Sequence, residues 1–133
     1  MGAGGAFKPS EKPLGERLGL SPGSRLLVLG TPLPGMDAWD VVRVRDDADV
    51  VIAACLSIGD VLDLVPHGWA ARRPAGRLWV AYRKGRRDLT RTSLGEAVEG
   101  LGLGLTWFRQ TSVDDVWSAI WLKHRSEFRT LNH

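Results

Sequence analysis

Four cations placed close together carry the clearest chemical signal in this sequence. Arg83, Lys84, Arg86 and Arg87 follow the apolar run Arg77–Tyr82, with Gly85 among them. Arginine forks match the planar geometry of phosphate and carboxylate groups, and a lysine adds a mobile point charge. Backbone N–H groups around Gly85 can assist an anion. A second segment, Thr31–Gly35, also follows an apolar run, and its two prolines make it a rigid, neutral loop. If both runs are strands of one sheet, Gly30, Thr31 and Gly35 stand beside Arg83, Lys84, Arg86 and Arg87. The expected ligand of such a crest is an anionic small molecule or an acidic protein surface.

The other reactive side chains are not arranged for catalysis, so neither a catalytic residue nor a metal ligand set is expected. His67, His124 and His133 are far apart in sequence, and none lies at metal-ligand spacing from another His or from Cys55. Cys55 lies in an apolar run, has no neighbouring base and reads as a small core residue. An unpaired thiol suits a reducing cytoplasm. Asp114 and Asp115 are adjacent, which suits a turn better than acid–base work. There is no Gly-x-Ser-x-Gly elbow and no Gly-Lys-Ser/Thr phosphate loop.

The net charge is +3, but it is unevenly spread. Residues 72–91 hold eight of the 18 basic residues and one of the 15 acidic ones. Such a dipole favours one anion-attracting face over the coating of a long polyanion. Nucleic acid is therefore an alternative that is not favoured. Only Trp79 and Tyr82 interleave with the basic stretch, and both fall in a strand expected to be buried. No run reaches the roughly 18 apolar residues of a membrane span.

The elements that must position these residues alternate along the chain. Residues 1–9 read as a flexible tail, 10–125 as one α/β domain and 126–133 as a polar tail. Ser10 is expected to cap a short helix that ends at Gly19, with Pro13 in its first turn. Strands are expected at 25–30, 41–45, 50–55 and 77–82, with a Pro-Ala-Gly turn at 74–76 before the last. A helix begins at Ser57 and is expected to end or kink at Pro66. Ser93 and Glu96 suggest a capping box for a second helix. Residues 103–111 and 116–124 read as an antiparallel hairpin. There Trp107 is expected to face Trp117 and Trp121, either as core or as a homodimer surface. The fold class is therefore α/β, a mostly parallel sheet flanked by helices with an antiparallel C-terminal hairpin.

Two resemblances follow from these segments. LLVLG at 26–30, DVVIAA at 49–54, RRPAGRLWVAY at 72–82 and the stretch 107–125 resemble the first, fourth and fifth strands and the terminal hairpin of the Rossmann-like methyltransferase fold. LGLSPG at 18–23, WVAYRKG at 79–85 and WSA at 117–119 are similar to an uncharacterised bacterial family, numbered 3052 among the domains of unknown function. The second resemblance implies a fold but no activity.

The first implies an S-adenosylmethionine site, with a glycine-rich loop after the first strand and an acid after the second. Here the loop has glycine only at Gly30 and Gly35, and the acid would be Asp46 or Asp47. The expectation is thus a non-catalytic module with no cofactor and a cationic crest. A methyltransferase-like enzyme and a nucleic-acid-binding accessory protein are the alternatives.

Overall fold

The computed structural model describes residues 13–127. The expected Ser10 cap, the tail at 1–9 and all but the first two residues of the tail at 126–133 lie outside them. Six strands form one sheet: β1 (Ser24–Gly30), β2 (Val41–Arg43), β3 (Ala48–Ala54), β4 (Arg72–Arg83), β5 (Leu105–Ser112) and β6 (Trp117–His124). Their order across the sheet is β2-β1-β3-β4-β6-β5. The first four are parallel, and β6 runs antiparallel between β4 and β5. The α/β expectation holds: a mostly parallel sheet, flanking helices and an antiparallel hairpin at the end of the chain.

The central strands are apolar along their whole length because both faces are covered. On one face Val51, Ala53, Leu78, Val80 and Ile120 pack under α2 (Ile58–Ala71) and α3 (Arg91–Gly100). On the other, Leu26, Ile52, Trp79 and Ala119 pack under α1 (Leu14–Leu18) and the loop that holds Leu33 and Met36. The indole N–H of Trp79 donates to the Leu18 carbonyl at 2.9 Å and ties α1 to the middle of the sheet. α2 comes very close to the sheet at Gly68, where a Cβ would meet Leu78 and Val51 at 3.0 and 3.1 Å.

Several local expectations are corrected. α2 runs through Pro66 to Ala71 without ending. The proline removes the N–H that would reach the Leu62 carbonyl. Leu62 is 46 % exposed, so water can serve that carbonyl, and the buried Val61, Val65 and Gly68 hold the helix to the sheet. Pro13 occupies the N-cap position of α1 with no side-chain cap, and Gly19 ends the helix as expected. The capping box of α3 is Thr90 with Ser93, one turn before the expected Ser93–Glu96 pair.

Pro74, Ala75 and Gly76 lie within β4 as an irregular excursion, because Ala48 pairs with Arg72 while Val50 pairs with Arg77. In β5 the register shifts between Trp107 and Arg109, so Trp107 pairs with Leu122. That bulge turns Trp107 away from Trp117 and Trp121, and it is 41 % exposed beside Arg91.

Candidate functional site

The carboxyl ends of the parallel strands form one edge of the sheet. The chain leaves β1 for β2 on one side and reaches β3 on the other, so the topological switch point lies between β1 and β3. β1 ends at Gly30, whose φ of 81° is one that L side chains rarely adopt. A Cβ there would fall inside the van der Waals radius of the Ala54 carbonyl oxygen. Thr31 N–H donates to the same oxygen at 3.4 Å. Leu33 is buried and its N–H donates to Met36 Sδ at 3.3 Å, while Pro32 and Pro34 have no N–H. Gly35 opens a single turn of 3-10 helix, Met36–Ala38. The β1 loop therefore folds down onto the core and spends several of its donors internally.

The end of β3 supplies the middle of this edge. Cys55 is fully buried, and burial, with the Asp60 carboxylate nearby, pushes its thiol up to about 12. A thiol so protonated is a poor nucleophile. Ser57 caps α2 by accepting from Asp60 N–H at 3.1 Å, and the Asp60 carboxylate accepts from Leu56 N–H at 2.8 Å.

Beyond β4 the cationic residues take different partners. Lys84 Nζ donates to Ser112 Oγ at 2.7 Å and to the Asp114 carbonyl at 2.6 Å, so it clasps the β5–β6 hairpin. Arg86 forms a two-point pair with Asp88 at 3.0 and 3.2 Å. The Arg83 guanidinium lies 5.6 Å from the Trp117 ring on the α1 side of the sheet. Arg83, Lys84, Arg86 and Arg87 nevertheless all line one cavity of about 450 Å³, together with Tyr82, Arg91, Gln110 and Ser118. There Gln110 donates to Tyr82 Oη and Ser118 Oγ, and Arg91 donates to Gln110. Gly30, Thr31 and Gly35 are not brought beside this group. β3 stands between β1 and β4, a spacing of roughly 10 Å.

The residues were also tested against the S-adenosylmethionine site that the methyltransferase resemblance implies. Gly30 stands where such a site needs a glycine. The acid does not follow. β2 stops at Arg43, and Val44 and Arg45 come next. Asp46 and Asp47 follow the chain back toward the amino edge of the sheet, where the Asp47 carboxylate lies 3.8 Å from Arg25 and 3.7 Å from Arg73. The residues present do not complete a ribose-binding site of the usual kind.

Sequence reasoning missed a second set of side chains. Arg77, Phe108, Arg109, Trp121 and Lys123 line a groove of about 610 Å³ on the α1 face of β4, β6 and β5. Their sequence positions are scattered over three segments, and only the register of the three strands brings them together.

No model of a known protein family matches the sequence, and no curated protein matches it. Solved structures do resemble the fold. A SAM-dependent methyltransferase from Aquifex aeolicus aligns with a TM-score of 0.55 at 13 % identity, over 87 % of this chain and 89 % of that one. A TehB-like SAM-dependent methyltransferase from Corynebacterium glutamicum aligns at 0.52 and 14 %, over 80 % and 83 %. The ribosomal protein L11 methylase of Lactobacillus delbrueckii subsp. bulgaricus aligns at 0.50 and 13 %, over 82 % and 73 %. The likeness is one of fold.

It corrects the expectation of a non-catalytic module with a cationic crest for an anionic ligand or acidic partner. The neighbours favour the methyltransferase-like alternative. Of the four cations, Lys84 and Arg86 also have partners within the chain itself.

Proposed function

We propose that this chain is a methyltransferase-like transferase that works at the carboxyl edge of its sheet. The observation that supports this reading is the strand order β2-β1-β3-β4-β6-β5 with β6 alone reversed, in a fold like that of SAM-dependent methyltransferases. Ligands in such sheets sit outside the strand ends at the switch point. Here that position is bounded by Gly30, Thr31 and Gly35 on one side and by Leu56 and Ser57 on the other. Because β2 carries no acid at its end, the ribose contact differs from the usual one, and no reaction step is assigned to a side chain.

Isothermal titration with S-adenosylmethionine, together with amide shifts, tests the reading. Saturable shifts at Gly30, Thr31 and Ser57 are expected. No shift at millimolar cofactor removes the methyltransferase reading.

Kinship with the bacterial family numbered 3052 is the finer proposal. It is supported by contact between its motifs. Leu18 in LGLSPG accepts from Trp79 in WVAYRKG, and Arg83 in WVAYRKG pairs with Trp117 in WSA. The buried, unpaired Cys55 suits a reducing cytoplasm, and no described helix is long and apolar enough to cross a membrane.

A further inference from the structure

We propose that the α1 face of β4, β6 and β5 is a groove for single-stranded nucleic acid. The site lies away from the carboxyl edge and does not depend on the methyltransferase reading.

The strand register assembles it. Trp79 and Arg109 both pair with Trp121, from opposite sides of β6, and Thr106 pairs with Lys123. Among the described residues the only α-helix on this face is the five-residue α1, which leaves the outer part of the sheet open as the groove of about 610 Å³. That volume lies within the range that holds a ligand of nucleotide size.

The groove alternates cations and rings. The Arg77 guanidinium lies 4.0 Å from the Trp121 ring centre. Lys123 Nζ lies 4.3 Å from Phe108 and 5.0 Å from Trp121, and Arg109 lies 5.1 Å from Phe108. Phe108 meets Trp121 edge-on at 5.1 Å.

Two features identify the occupant. The first is charge. Arg77 and Arg109 make no ion pair among the described residues, and burial, followed by the charge of Arg109, disfavours the charge on Arg77. Lys123 has an acidic partner, Glu127 at 3.8 Å, and Glu16 is the one acid among the described residues of the groove lining, against the cations Arg17, Arg77, Arg109 and Lys123. A chain of phosphates relieves that repulsion. The second is the aromatic floor. An acidic peptide uses only the cations, whereas bases also stack on ring faces and guanidinium planes. A sheet face that offers both matches a single strand with its bases splayed. A duplex keeps its bases stacked inside and cannot use the rings.

Fluorescence anisotropy of labelled 12-mers of dT and U, titrated with the full chain, tests the proposal. Saturable binding is expected, with log affinity falling about 0.7 per phosphate contact for each decade of salt. The double variant Arg109→Glu/Lys123→Glu should weaken binding at least tenfold with an unchanged thermal midpoint. Arg86→Glu/Arg87→Glu, at the tip beyond β4, should change it less than twofold. Phe108→Leu should weaken a base-bearing strand more than an abasic one. Preference for U over dT would assign the groove to RNA, and the reverse to DNA. The proposal is overturned if poly-glutamate, an abasic strand or a duplex of equal charge binds as tightly. It is also overturned if the loop variant loses binding and the groove variant keeps it. Either result is independent of S-adenosylmethionine, which is absent from the assay.

Discussion

Single side chains set the limits of this fold. Gly30 has a positive φ and no room for a Cβ against Ala54. Gly30→Ala should therefore cost at least about 2 kcal/mol, read as a lower urea midpoint. An unchanged midpoint would mean that the β1 loop can rise off the core.

Asp49 is the pH-sensitive position. Its carboxylate accepts from Arg25 N–H at 2.8 Å and from Arg73 at 2.6 Å, and these contacts hold its pKa below the ordinary value of 3.8. The charged form is thus favoured by folding. Its contribution is full above the unfolded value and disappears as pH falls through the lowered folded value. Asp49→Asn should lose about 1 kcal/mol at pH 7, allowing for partial exposure, and should converge with the parent protein at a pH well below the ordinary value of 3.8. Urea melts at both pH values measure it.

Elements show which parts of the fold could be read from sequence. The buried strands at 24–30, 48–54 and 77–83 are legible because an apolar run bounded by turn residues suits a strand covered on both faces. The passage of α2 through Pro66 is not legible, since it depends on an exposed carbonyl and on packing against the sheet. Pro66→Ala should restore the N–H to the Leu62 carbonyl and raise stability by about 1–2 kcal/mol, seen as a higher urea midpoint. A lower midpoint would assign more weight to the packing of the half-buried ring than to the missing bond. The bulge at Phe108 is equally hidden, because a bulge is a relation between two strands and has no signature in one of them. That single residue moves Trp107 to the helix face and leaves Arg109 opposite Trp121. The groove could not be anticipated without it.

For the whole molecule, the architecture was readable and the site was not. Alternating helices and strands point to a parallel sheet, and the hairpin at the end of the chain was visible in its two apolar runs. Strand order was harder. The imagined neighbourhood of Thr31–Gly35 and Arg83–Arg87 ignored β3, which stands between them. The partners of the cations beyond β4 also needed three dimensions, because those of Lys84 come from the hairpin 28 to 30 residues later.

The position of β6 in the sheet order has a consequence for how the chain is made. Among the described strands β6 is the last to be made, yet it sits inside the sheet, between β4 and β5. Until residues 117–124 emerge, the β4 segment Leu78–Arg83 is an open apolar edge and β5 has no strand to join. Synthesis thus passes through a stage at which every other strand exists and the sheet is still split in two. An exposed edge of that kind invites pairing with other chains. The nascent protein is therefore open to such pairing from the time the β4 segment emerges until residues 117–124 cover it.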